Sequence, residues 1–251
     1  MHSPSIKQLK SLIAVSVLIS SVAAFAGEPR RYPRDGNDRN GNHSEEQFGF
    51  RVRIGMVEPE GNSAFWDDAF DGFTGELGGM DDPGVGGEFI YGLSDNLELW
   101  TGVAAFSGSL RSGYRDFTDG FGNEVRHRKT LEVAPLTVGV TAYPFGKDRT
   151  FRPFVGAGGG FYFWKYREAG DFIDFSVDPA EIVNAEYESD GTTLGYYFVA
   201  GVEARISRNA GLFVEGRWNY ADDDPKDGDF ENFGEIDLRS REVSMGMAWR
   251  F

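Results

Sequence analysis

The chain has 251 residues, a formal net charge of −15, no cysteine, 34 glycines and an aromatic share of 15%. That length suits one domain with a sizeable core, and the missing cysteine excludes disulfide frameworks, thiol chemistry and thiolate metal sites. The acidic balance argues against a nucleic-acid partner, because phosphate binding needs a basic footprint, and the glycine and aromatic content points to strands with tight turns.

Lys7 and Lys10 precede an apolar run, Leu12 to Ala26, that ends in Ala24-Phe25-Ala26. This is the pattern of a cleavable signal peptide over residues 1–26, with cleavage before Gly27. An uncleaved anchor helix is the alternative, for which the run is short and rich in serine. Residues 27–46 carry almost no apolar side chain and read as a flexible leader. Asp35 to Asn42 faintly resembles a calcium loop, but Arg39 stands where an oxygen ligand is needed.

Residues 47–251 alternate with the period of strands. Phe48, Phe50, Val52, Ile54 and Met56 share one face of the first strand, with Gly49, Arg51, Arg53 and Gly55 on the other. A second strand spans Val85 to Leu93, with Glu88 on its polar face, and a third runs from Leu97, with Glu98 opposite the apolar side. The fourth, Thr130 to Tyr143, changes phase at Ala134-Pro135, which predicts a bulge. The fifth, Phe151 to Tyr166, turns Gly156, Gly158 and Gly160 inward. The sixth, Leu194 to Ile206, carries Glu203 and Arg205 on its polar face, and the seventh, Leu212 to Tyr220, carries Glu215 and Arg217. In the last strand Val243, Met245, Met247, Trp249 and Phe251 face one way, and Glu242, Ser244, Gly246, Ala248 and Arg250 the other. Such a strand meets lipid on one side and a polar interior on the other, and a closed barrel is the only sheet that spans a bilayer.

Short connections alternate with long ones, as in barrels with turns in the periplasm and loops outside, which places the leader and both ends of the barrel in the periplasm. Asp119-Gly120 and Gly122-Asn123 predict that strands three and four continue past the membrane as a hairpin. The third loop is expected over Arg167 to Gly191. The stretches PLTVGVTAYPF from Pro135, FRPFVGAGGGFYFW from Phe151 and GLFVEGRWNY from Gly211, with the terminal aromatic, resemble the small eight-stranded outer-membrane barrels that include the OmpA transmembrane domain and OmpW-like proteins. The resemblance covers roughly residues 47–251. It implies an all-β, eight-stranded antiparallel up-and-down barrel of a Gram-negative outer membrane, with Trp249 and Phe251 as the signal read by the barrel-assembly machinery. A soluble lipocalin-type barrel would share the period with its apolar face inward. The Arg, Glu and Gly character of the polar face, and the aromatic strand ends, argue against it.

The inward face gathers Arg51, Arg53, Arg205, Arg217 and Arg250 with Glu88, Glu98, Glu203, Glu215 and Glu242. Eight strands leave room only for side chains, so this set reads as a salt-bridged plug, with a gated narrow pore as the alternative. The loops are acidic, except that the second ends in Arg126-His127-Arg128-Lys129. Arg126, Arg128 and Lys129 are candidates to meet lipopolysaccharide phosphates, while the acidic loops offer a weak case for divalent cations. Ser63 and Asp178-Pro179-Ala180-Glu181 mark two short loop helices whose apolar faces could close the mouth, meet a partner or hold a ligand. An enzyme would need a histidine at the outer rim, and only His127 is available. The expectation is therefore a protein without cofactor or metal, whose partners are outer-membrane lipid and a surface ligand or host factor. Its role is envelope integrity, adhesion or contact, with an OmpW-like channel for small or hydrophobic solutes as the alternative.

Overall fold

Eight strands close into one antiparallel ring in the computed structural model, which describes residues 48–251 except 148 and 227. The signal peptide and leader expected over residues 1–46 lie outside the described residues. The order is β1 (Phe48–Pro59), α1 (Ala64–Phe70), a single 3-10 turn (Leu77–Met80), β2 (Asp82–Gly92), β3 (Leu97–Thr118) and β4 (Glu124–Ala142). There follow β5 (Phe151–Asp174), β6 (Glu181–Arg205), β7 (Ala210–Asp223), β8 (Ile236–Asp237) and β9 (Ser240–Arg250). Each strand from β1 to β7 pairs with the next, β7 pairs with β9, and β9 returns to β1 with Trp249 opposite Phe50. The two-residue β8 pairs with the end of β7, outside the ring. The amide of Phe251 donates to the carbonyl of Phe48 at 2.8 Å, so the last residue completes the seam. A ring without edges satisfies every strand internally, which lipid demands.

Alternation sorts the side chains. Val52, Ile54 and Met56 on β1, Leu194 and Phe198 on β6, and Val243 and Met245 on β9 all point outward and are exposed, Leu194 to 69%. Together they form an apolar belt that would aggregate in water and is solvated by lipid. Ring pairs mark its two rims: Phe50 stacks on Trp249 at 4.6 Å near the short turns, and Tyr196 on Tyr220 at 5.0 Å near the loops. Aromatic side chains favour these interfacial heights. Towards the loops the belt stops at Glu58, Ser107, Glu132, Lys165, Asp190, Asp222 and Arg241.

Three expectations about elements are corrected, the first being that Asp178-Pro179-Ala180-Glu181 forms a turn and the start of β6 and not a loop helix. No bulge occurs at Pro135: Ala134 opposes Phe163 and Pro135 opposes Tyr162 in unbroken register, and Val103–Leu136 and Phe106–Val133 keep one register on the other side. The apolar pattern changes phase because the environment does. Leu136, Val138 and Val140 face lipid, whereas Leu131 and Val133 face an apolar interior. The region expected as a third loop is mostly sheet, since β5 and β6 run to 24 and 25 residues and stay paired from Arg167–Glu188 to Asp174–Glu181. Beyond the belt a hairpin needs only its ladder and cross-strand pairs, and Lys165–Glu188 and Arg167–Glu186 supply them at 2.6 and 3.3 Å. The β3–β4 overhang ends at a turn where the Asp119 carboxylate accepts from the amides of Phe121 and Asn123, and Gly122 adopts φ +86°.

Candidate functional site: the charged lumen and its outer rim

The inward face is charged near the turns and apolar near the loops. Nearest the turns, Arg250 from β9 bonds Glu98 of β3 through Nε at 2.8 Å and Glu203 of β6 through Nη1 and Nη2 at 2.5 and 2.8 Å. Its Nη2 also donates to the Tyr143 hydroxyl at 2.9 Å, which in turn donates to Glu98 at 2.9 Å. Arg152 of β5 reaches Glu203 at 3.4 Å, and Lys147 of the adjoining turn lies 3.9 Å from Glu98. Arg205 lies at the turn, where its guanidinium donates to the carbonyls of Ser207 and Arg208 at 3.2 and 3.3 Å.

One layer up, three arginines interlock with three glutamates. Glu88 accepts from Arg53 and Arg217 at 2.6 Å each and from Arg51 at 3.5 Å. Glu215 accepts from Arg51 at 3.0 Å and Arg217 at 3.2 Å, and Arg53 also donates to Glu242 at 2.9 Å. Aromatic rings fill the gaps: the Arg51 guanidinium carbon lies 3.9 Å from the centroid of Phe213, and that of Arg217 lies 4.7 Å from Tyr197. All six charged groups are buried. A buried charge keeps its place only when paired and hydrogen-bonded, and bidentate guanidinium geometry suits that need. The glycines make the room. A Cβ on Gly158 would collide with the Tyr197 hydroxyl and the Val138 carbonyl, and one on Gly86 would lie 2.7 Å from the Arg53 guanidinium carbon.

Above the charges lies a cavity of about 50 Å³, lined by Arg53, Val57, Phe106, Leu131, Tyr162 and Arg217, a space for a few water molecules. The loop end then closes with an apolar plug. In the segment Ala64–Phe70, Phe65, Trp66 and Ala69 share one helical face and Asp67 and Asp68 another, so α1 enters the mouth apolar face first. Phe65 is fully buried and meets Tyr166 edge-on at 5.3 Å, with Phe230 and Phe233 each at 5.9 Å. The Trp66 indole donates to the Asp237 carbonyl at 2.7 Å, tying the first loop to the last.

Alternation also divides the basic run. Arg126 and Arg128 point outward, but Lys129 points inward with no exposed surface, which corrects its placement among the lipopolysaccharide contacts. Its ammonium donates to the last turn of α1 at the Ala69 carbonyl, 2.7 Å, and to Glu168 at 2.5 Å, and Glu168 also accepts from the Tyr166 hydroxyl at 2.6 Å. These groups lie above the belt edge set by Glu132 and Lys165. His127, beside them, is 3% exposed between Phe73 and Phe172. Burial, with the charge of Lys129, pushes its pKa down to about 4. Its cross-strand neighbour Ser112 donates instead to the Thr74 carbonyl, and neither ring nitrogen of His127 makes a hydrogen bond, although Nε2 lies 3.3 Å from Glu168. No base–nucleophile relay is assembled there. Among the described residues no group of three or more acidic or histidine side chains could hold a metal ion.

Arg152, Tyr143, Glu168 and Tyr166 were not singled out from the sequence as site residues. Arg152 shares the phase of Gly156, Gly158 and Gly160, which is the signal that would have found it.

An edgeless ring, a lipid-facing belt with aromatic rims and a polar, filled interior define a transmembrane β-barrel. The sequence pattern of the outer membrane protein beta-barrel domain matches residues 12–251, and the chain belongs to that family of outer-membrane barrels. Among solved structures it is similar to Neisserial surface protein A, at 14% identity over 81% of this chain and 97% of that one, with a TM-score of 0.43. It is also similar to the outer membrane protein OprG of Pseudomonas aeruginosa (12% identity, 82% and 95% covered, TM-score 0.45). A third is Ail, the attachment invasion locus protein of Yersinia pestis, in complex with the heparin analogue sucrose octasulfate (9%, 82% and 99%, 0.41). No curated protein matches the chain.

Proposed function

We propose that this barrel works through its outer surface, as an envelope and contact protein, and not as a conduit or an enzyme. The observation that carries the reading is how the lumen is filled, with interlocked arginines and glutamates near the turns and with α1 and the last loop at the mouth. Between them the cavity is about 50 Å³. The hairpins β3–β4 and β5–β6 stand beyond the belt on the side we assign to the cell exterior, and they present edges and side chains to a partner. Trp249 and Phe251, at the seam between the first and last strands, are the features the assembly machinery would read.

A narrow channel is the second reading, favoured by one observation. The β3–β4 ladder is interrupted at Ala104 and Ala105, opposite Ala134 and Pro135, beside the cavity. Replacing residues 169–186 by a two-residue turn, which keeps Glu168 beside the buried Lys129, separates the readings. The surface reading expects a folded barrel that loses attachment of the cells carrying it, with small-solute uptake equal in cells with parent, shortened or no protein. Uptake raised by the parent would overturn it.

A further inference from the structure

We propose that Arg111 and Arg128 form a phosphate clamp for phosphorylated glycolipid of the outer leaflet. The two residues are direct cross-strand partners on β3 and β4, and both side chains are exposed on the lipid-side face. Like charges set directly opposite repel and need a counter-ion. Three neighbouring cations have theirs in the chain: Arg126 pairs with Glu124, Lys165 with Glu188 and Arg167 with Glu186, while Arg115 lies further out on β3, past the paired register. Among the described residues no carboxylate comes within ion-pair distance of Arg111 or Arg128. Arg126 is neutralised and Lys129 points into the barrel, so the basic patch is these two residues and not the run read along the sequence.

Height selects the ligand. Each arginine occupies the third outward position beyond the belt, after Ala105, Ser107 and Ser109 on β3 and after Ala134, Glu132 and Thr130 on β4. Arg128 folds back towards the membrane, where Nη1 donates to the Ser109 hydroxyl at 3.2 Å. Its remaining donors, with the five of Arg111, therefore sit at headgroup level. Guanidinium forks match phosphate oxygens bidentately and remain charged at any physiological pH. The placement facing the outer leaflet rests on the orientation proposed above, whereas binding in detergent does not depend on it.

The test uses the protein folded in detergent, with intact rough-type lipopolysaccharide, the same lipopolysaccharide dephosphorylated, and inorganic phosphate. The parent is expected to bind the intact lipid at least tenfold more tightly than the double variant Arg111→Gln/Arg128→Gln, and Arg126→Gln to bind like the parent. Dephosphorylated lipid should bind the parent as weakly as intact lipid binds the double variant. Without lipid, the double variant should melt at the same temperature as the parent or higher, because a repulsion is removed; a residue that merely supported the fold would give the opposite sign. Equal binding by parent and double variant, or undiminished binding of dephosphorylated lipid, would overturn the proposal. Displacement of the lipid by an equal concentration of inorganic phosphate would assign the site to a free anion and overturn the lipid reading.

Discussion

Glu88 concentrates the logic of the lumen in one side chain. It takes hydrogen bonds from Arg53 and Arg217 at 2.6 Å and lies 3.5 Å from Arg51. Glu88→Gln would leave three buried guanidiniums facing Glu215 and Glu242 alone, and removing one partner of a buried ion network costs about 3–5 kcal/mol. Urea unfolding from lipid vesicles should record that loss. His127 makes a second prediction, through protons. Its folded pKa is pushed down to about 4, while unfolded histidine titrates near ~6.5. Between these values the unfolded chain binds the extra proton, so stability should fall as pH falls through that window. His127→Phe, which keeps the ring between Phe73 and Phe172, should flatten the parent's decline between roughly pH 4.5 and 6.5. An unchanged slope would show that another group carries it. At this scale nine of the ten inward charges named from alternation meet in the lumen, because each is an inward residue on a strand with an apolar outer face, while Arg205 lies at the turn and Arg152 joins them unnamed. The place of Lys129 was not legible, because in Arg126-His127-Arg128-Lys129 uniform basicity hides an alternation that sends two side chains out and two in.

Among the elements, α1 is a seven-residue helix, too short to persist alone. It is held by burial of Phe65 and Trp66 and by the Lys129 ammonium at the Ala69 carbonyl. Trp66→Ala removes a buried ring and the bond to Asp237, a loss of about 3–5 kcal/mol for a large-to-small change in a core. Proteolytic cleavage within residues 60–81 should rise accordingly, while the barrel strands stay protected. Gly158→Val tests packing in the opposite direction. The new side chain has nowhere to go beside Tyr197, so overpacking should cost about 1–3 kcal/mol or more and slow folding into vesicles. Strand number and order were readable from period-2 alternation and turn residues. Strand length was readable for β3 and β4, whose hairpin the Asp119-Gly120 and Gly122-Asn123 turn marked, but not for β5 and β6, because the rule that a strand ends with its apolar face holds only inside lipid. Beyond Phe163 the β5–β6 ladder continues on ion pairs. The supposed bulge at Pro135 arose from the same assumption: Leu131 and Val133 are apolar because the upper interior is apolar, a feature set by loops whose docking no local pattern reveals.

For the whole molecule, the closure we propose rests jointly on eight strands, two charge layers and a mouth filled by the first and last loops. The turn-end half follows from the strand sequences, whereas the loop-end half depends on contacts between Trp66, Tyr166, Phe230 and Asp237 that lie far apart in the chain. Both halves must open before a solute can pass, and the charge layers resist, since an arginine released from its glutamates is a buried charge without a partner. Single-channel conductance of the folded protein in planar bilayers, beside an Arg217→Ala variant, tests this most directly. A silent parent, with brief or small steps appearing only in the variant, is the expected result. Stable conducting steps from the parent itself would contradict the sealed lumen and make the barrel a channel.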